Sequence, residues 1–162
     1  MRIPGWSQGA ALQLNGKKIE PLDVVKGYAV IRRAWRKGDA VQVDLPIPIR
    51  RVEAHNSVMA DRGKVTLQRG PLVYGLEALD NDGRALVSLP ADPKFQTEPR
   101  PDMLGGVTVI RGKTSDEKPF LAIPFYALAN RGNSLQEVWL YQAGKRDRKE
   151  GWEGKLYREY LP

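Results

Sequence analysis

The run Lys64-Val65-Thr66-Leu67-Gln68, then Arg69-Gly70-Pro71, then Leu72-Val73-Tyr74-Gly75-Leu76-Glu77-Ala78-Leu79 decides the fold class. Both halves are rich in β-branched and aromatic residues and alternate with a period near two, which is strand patterning. Gly70-Pro71 between them marks a bulge or a switch of sheet, because proline cannot donate to a ladder. Working outward, the same period recurs. Leu12 and Leu14 alternate with Ala11 and Gln13, and Asn15-Gly16 is a strong hairpin signal. Gly27–Trp35 reads as a strand, Lys37-Gly38-Asp39 turns the chain, and Val41, Val43 and Leu45 alternate with Gln42 and Asp44 until Pro46 and Pro48 end the run. Beyond the opening run, Asp80-Asn81-Asp82-Gly83 predicts a hairpin turn leading into a strand over Arg84–Leu89. Residues 90–105 hold four prolines and one glycine and read as a long loop. Strands resume at Val107–Ile110, Phe120–Leu128 and Leu135–Tyr141. No stretch of ten residues has a helical period, and the only short helical suspects are Asp147–Glu150 and Gly154–Glu159.

About ten short strands separated by turn signals predict an all-β protein, an antiparallel β-sandwich or jelly roll. The expected organisation is three parts, 1–52, 53–141 and 142–162, the last a charged, partly ordered tail packed back through Trp152, Tyr157 and Tyr160.

Composition narrows the chemistry. The 162 residues include no cysteine and one histidine, His55. Disulfide scaffolds, thiolate metal sites and sites built from two imidazoles are excluded. No apolar run is long enough to span a bilayer, and no leader pattern opens the chain. The net charge is +7, and residues 1–52 hold ten Lys/Arg against four Asp/Glu. Arg32, Arg33, Arg36 and Lys37 around Trp35 form the densest patch. No recognition helix or aromatic sheet motif accompanies it, so the expected role is a solvated strand edge rather than nucleic-acid binding.

Several groupings invite a chemical reading. Asp80-Asn81-Asp82-Gly83 lacks the twelfth-position glutamate and the helices of a calcium-binding hand, Ala91 standing at that position. Glu77 and Asp80 as a glycosidase pair would point to opposite faces of a strand. Ser57 near His55, with Asp61 beyond, has the residue types of a nucleophilic set, but His55 reads as part of a linker between strands. Trp6, Trp35, Trp139 and Trp152 raise the possibility of sugar stacking. Trp139, in Glu137-Val138-Trp139-Leu140, reads as buried, whereas Trp6 after Pro4-Gly5 reads as exposed. Asn130-Arg131-Gly132-Asn133 is a turn in which Arg131 is placed to pair with Glu137 or Glu77, or to reach a neighbouring domain.

Taken in order, Arg2-Ile3-Pro4-Gly5-Trp6, Asn15-Gly16, Gly27–Trp35, Lys37-Gly38-Asp39, Leu45-Pro46, Gly63-Lys64-Val65, Gln68–Tyr74 with Glu77, Asp80-Asn81, Ile123–Gly132 and Val138-Trp139 resemble the C-terminal part of glycoside hydrolase family 127, the β-L-arabinofuranosidase-like enzymes. The resemblance covers roughly residues 2–141. It implies a larger bacterial enzyme in which an (α/α) barrel precedes two β-sandwich or jelly-roll domains, with 1–52 the incomplete remainder of the first, its edge open, and 53–141 the second. It also implies a zinc-bound cysteine nucleophile with further cysteines and glutamates, all in the barrel upstream of the Arg2–Trp6 motif. No catalytic, cofactor or metal position therefore carries over to this chain. Where the family usually has a cysteine, this sequence has Gly75. The implied role is a non-catalytic accessory region that braces the barrel or mediates homodimer contacts. The alternative is a carbohydrate-binding module. The candidate sugar or interface contacts are Trp6, Tyr126 and Arg131. Neither a nucleic acid nor a membrane is an expected partner, and the cellular compartment is left open.

Overall fold

The structure is a computed structural model, and it describes residues 1–144 and 151–160. The predicted helix at Asp147–Glu150 lies outside the described residues. The chain divides into two compact units, Met1–Pro48 and Ile49–Pro162. Residues 49–52 therefore belong to the first strand of the second unit.

The first unit holds β1 (Ala11–Leu14), β2 (Lys17–Lys18), β3 (Val24–Val25), β4 (Tyr28–Ala29) and β5 (Val41–Asp44). Asn15 and Gly16 both take positive φ, as a two-residue hairpin requires, and Leu14 pairs with Lys17 across the turn. On its other side β1 pairs with β5, Leu12 opposite Val43, and Leu12 is fully buried. The strand expected over Gly27–Trp35 shrinks to Tyr28–Ala29, paired with Val24–Val25 around Lys26-Gly27. The chain start ties this hairpin down. Met1 and Ala29 exchange backbone bonds of 2.8 and 2.7 Å, and Ile3 N–H donates to Gly27 O at 2.8 Å. Residues 30–35 have no strand partner within the described residues, so an extended, β-branched sequence alone does not make a strand there. The Lys37–Asp39 turn forms as expected. Asp39 Oδ2 accepts from Arg36 N–H at 2.8 Å, and Asp39 N–H donates to Arg36 O at 3.0 Å.

The second unit contains β6 (Ile49–Ala54), β7 (Lys64–Arg69), β8 (Leu72–Glu77), β9 (Ser88–Leu89), β10 (Gln96–Arg100), β11 (Val107–Lys113), β12 (Pro119–Pro124), β13 (Gln136–Glu137), β14 (Leu140–Gln142) and β15 (Tyr157–Glu159). These form one curled sheet with the path β10-β11-β12-β8-β7-β14-β9. β13 adds to β8, and β6 lies between β7 and β15. All pairs are antiparallel except β9 with β14. The protein is all-β and antiparallel, as its sequence predicts.

Four expectations change. Gly70-Pro71 is neither a bulge nor a sheet switch but a two-residue turn, with Gly70 at φ 57° and Arg69 pairing with Leu72. Asp80–Gly83 does not fold β9 back along β8; β9 runs parallel to β14 instead. Within the expected loop 90–105, β10 pairs with β11 along five residues. Pro99 is tolerated because β10 is an edge strand. The suspected helix at Gly154–Glu159 is instead strand at Tyr157–Glu159, held by β6.

The β7–β8 hairpin pairs near its turn and then splays. β13 occupies the fork on the β8 side, Glu137 opposite Leu76, and β14 occupies it on the β7 side, Leu140 opposite Val65. At this crossing Gly75 is buried. A Cβ there would lie 2.9 Å from Leu128 Cδ1 and 3.1 Å from Glu137 O, so this close approach requires glycine. Alternation on β11 and β12 feeds two cores. Ile110, Phe120 and Ala122 join Val65, Leu67, Tyr74, Leu76 and Leu140 on one side. Val109, Leu121 and Ile123 join Val107 and Ala127 on the other. β12 is thus buried on both faces.

Candidate functional site

The three sequence-nominated residues sit in different settings. Trp6 is in the first unit and half-buried, in a turn where Ser7 N–H donates to Pro4 O at 3.0 Å. Buried Ser7 then ties this turn to Pro46 O through its hydroxyl, at 3.1 Å. Tyr126 and Arg131 belong to one loop of the second unit, which leaves β12 through the 3-10 turn Phe125–Ala127. Phe125 and Tyr126 are adjacent and 59% and 62% exposed. Asn130 Nδ2 donates to Tyr126 O and Leu128 O, closing the loop on itself. Ala129 takes a positive φ of 64°.

Arg131 is locked. Its Nη1 donates to Asp80 Oδ1 at 2.8 Å, and its Nη2 contacts both Asp80 Oδ2 and Glu77 Oε2. Glu77 is fully buried, and its other oxygen accepts the Ala129 N–H at 2.5 Å. The Asp80 carboxylate raises the Arg131 pKa above the ordinary arginine value, against the opposing effect of burial. The expectation that Glu77 and Asp80 diverge is therefore wrong. The strand ends at Glu77, and the 3-10 turn Ala78–Asp80 swings Asp80 back beside it. Both carboxylates converge on a guanidinium rather than on an open cleft, and the arrangement is a loop anchor. Glu137, the other partner considered for Arg131, caps the N–H groups of Val138 and Trp139 at 3.0 and 2.9 Å.

Asn81 is the residue that sequence reading missed. It is buried, its Nδ2 donates to Glu77 O and Leu121 O, and its Oδ1 accepts from Leu121 N–H at 2.8 Å. The side-chain amide takes the place of a strand residue beside β12. In the sequence it stands in a turn tetrapeptide and in the Asp80-Asn81 motif of the resemblance, neither of which reveals such a role.

His55 and Ser57 do meet, Nδ1 to Oγ at 2.9 Å. The same Nδ1 accepts the Ser57 N–H at 3.1 Å, and the ring stands edge-on to Trp152 at 4.9 Å. This is a local turn. Asp61 sits in the 3-10 turn Met59–Asp61, and among the described residues no bond joins it to His55. Trp139, expected in the core, is only half-buried and lies 5.8 Å from the ring of Tyr157.

Comparison with known proteins follows the same division as the fold. Residues 1–47 match the middle domain of the family described as β-L-arabinofuranosidase, GH127, and residues 49–141 match the glycoside hydrolase family 127 C-terminal domain. The chain belongs to glycoside hydrolase family 127. It is 34% identical to the non-reducing end β-L-arabinofuranosidase of Bifidobacterium longum subsp. longum, over 88% of this chain and 25% of that protein. The crystal structure of a GH127 β-L-arabinofuranosidase from Geobacillus stearothermophilus T6 superposes with a TM-score of 0.80 at 43% identity, covering 87% of this chain and 26% of that one. A solved GH127 β-arabinofuranosidase gives a TM-score of 0.76 at 34% identity, over 82% of this chain and 23% of that one. The chain thus spans about a quarter of the length of these family 127 relatives.

The zinc–cysteine centre implied by the family does not fit the residues present. The sequence has no cysteine and a single histidine, and among the described residues no group of three or more His, Asp or Glu could hold an ion. Among the described residues no helix is long and apolar enough to cross a membrane.

Proposed function

We propose that this chain is the non-catalytic accessory portion of a β-L-arabinofuranosidase-type glycosidase, bracing a catalytic barrel. The observation that carries the reading is the match itself. It runs from residue 1 to residue 141 through the family's middle and C-terminal domains and covers about a quarter of the relatives' length. The convergent carboxylates Glu77 and Asp80 support it, because their common partner is Arg131 and their geometry serves a loop rather than a scissile bond. The test is hydrolysis of an aryl β-L-arabinofuranoside by the purified chain, alone and mixed with a family barrel expressed without its β-domains. The chain alone should release no product, and mixing should raise the barrel's thermal stability. Turnover by the chain that survives repurification overturns the reading. Sedimentation of the chain alone tests the companion role in homodimer contacts.

A second reading, a carbohydrate-binding module, is favoured by the neighbouring exposed rings of Phe125 and Tyr126 on an anchored loop. It requires measurable sugar affinity in the isolated chain.

A further inference from the structure

One face of the second unit carries aromatic rings that none of the roles above uses. Val65 and Leu140 point into the larger core and pair with each other across β7 and β14. Tyr141, the next residue of β14, projects from the opposite face, and Trp139, one residue ahead of the strand, is placed by its contact with the Tyr157 ring. Glu53 pairs with Val65, which places the next residue, Ala54, on that same outer face, and Ala54 pairs with Tyr157 of the edge strand β15. Tyr141, Lys64, Ala54 and Tyr157 thus form a row across four strands. At about 4.8 Å per strand the row is roughly 14 Å long.

The row has the chemistry of a platform. Trp139 and Tyr157 lie 5.8 Å apart with their planes at 31°. Tyr141 and Tyr157 are about half exposed, at 49% and 48%. Lys64 Nζ stands 5.2 Å from the Tyr141 ring. Arg50 lies on the same face, bonded to Gln68 Oε1 at 3.2 Å and paired with Glu159 at 3.7 Å. Thr66, paired with Val52 on this outer face, is buried, and its hydroxyl has no hydrogen-bond partner among the described residues.

We infer that this outer face, centred on Trp139 and Tyr157, binds a neutral sugar chain of the arabinofuranose class. The inference rests on the carbohydrate reading above and moves its site away from Tyr126. Aromatic faces offer apolar surface to sugar C–H groups, and flanking Lys, Arg and Glu side chains offer donors and acceptors to hydroxyls. Arg50 is compensated by Glu159 and Lys64 stands against the Tyr141 ring, so the face carries no strong field of a single sign. That suits an uncharged polyol better than an acidic ligand. Rings separated by polar side chains also suit a sugar chain better than a protein face, which would present a continuous apolar patch.

The experiment is saturation-transfer NMR on the full chain with a β-linked L-arabinofuranose oligosaccharide, with a maltose-type oligosaccharide as control. Affinity is followed in Tyr157→Ala, Tyr157→Phe, Tyr126→Ala and Trp35→Ala, and folding is checked by circular dichroism. We expect transfer to the arabinofuranose chain. Tyr157→Ala should weaken binding by roughly tenfold, the effect of one lost stacking ring. Tyr157→Phe and the other two variants should bind as the parent. Binding lost in Tyr126→Ala but kept in Tyr157→Ala overturns this site and leaves the carbohydrate reading standing. No transfer to any sugar overturns both and leaves the bracing role.

Discussion

Arg131 and Asp80, fifty-one residues apart in sequence, meet as a two-bond fork, Nη1 to Oδ1 at 2.8 Å and Nη2 to Oδ2. The fork closes the loop that follows β12 against the end of β8, and fully buried Glu77 shares the same guanidinium through Nη2. Replacing Arg131 by Ala would leave Glu77 buried without a counter-charge. We expect a loss of about 3 kcal/mol, the low end for breaking a buried pair, because Arg131 keeps part of its side chain in solvent. Urea unfolding of Arg131→Ala measures this, and adding Glu77→Gln should return part of the loss. An unchanged midpoint would show the fork to be incidental.

Asn81 should be as intolerant of change. Asn81→Ala removes the acceptor for Leu121 N–H and a donor to Leu121 O inside the sheet. Unpaired backbone groups of that kind cost about 1–3 kcal/mol each. Asn81→Asp keeps the acceptor but turns its second oxygen against the Glu77 and Leu121 carbonyls in a buried site, and should be at least as destabilising as Asn81→Ala in thermal melts.

Gly75 tests the crossing of the fork. In Gly75→Ala the new methyl group meets Leu128 Cδ1, Glu137 O and Val138 Cγ2 at 2.9, 3.1 and 3.2 Å. Overpacking of this kind costs about 1–3 kcal/mol. Leu128 supplies the nearest contact through a flexible side chain, so Leu128→Ala introduced together with Gly75→Ala should be less destabilising than the sum of the two single changes. A thermal-melt double-mutant cycle gives the answer.

Asp116 gives a pH signature. Its carboxylate accepts from Thr114 Oγ1 and pairs with Lys118 Nζ at 2.9 Å, and the Thr114 bond chiefly holds its pKa down to about 2, from an ordinary 3.8. A carboxylate whose folded pKa is depressed stabilises the fold above its unfolded pKa, and the contribution disappears as pH falls through the folded pKa. Stability should therefore decline between about pH 4 and pH 2. Asp116→Asn should flatten that part of the profile while leaving the neutral-to-alkaline part parallel to the parent. Asp102, held down to about 2 by Arg100, contributes to the same window. Chemical unfolding at several pH values separates the two residues.

Much of the fold was legible in local pattern. The Asn15-Gly16 hairpin, the alternation in Val41–Asp44, and the strands around Lys64–Glu77 and Phe120–Pro124 follow from side-chain period and turn chemistry, which act over neighbouring residues. What escaped is short and non-local. β10 carries a proline and little apolar surface, and it is a strand only because β11 offers a partner. Ile49–Ala54 follows Pro46 and Pro48 and holds adjacent arginines, so its pattern does not announce a strand placed between β7 and β15. At the candidate site, sequence reading offered Glu77 as one of the partners open to Arg131 but could not see that a 3-10 turn adds Asp80. It read Trp139 as core because both its neighbours, Val138 and Leu140, are apolar.

By itself, the sequence determined the all-β class, the absence of thiol chemistry and the family, because strand period, composition and ordered motifs are all carried along the chain. Only the tertiary structure decided which strands enter the β7–β8 fork, that Glu77 and Asp80 share Arg131, and that the rings of Trp139 and Tyr157 lie side by side. Those outcomes depend on register between segments far apart in sequence. A shift of one residue would reverse which side chains face the core, and local propensity carries no record of that choice.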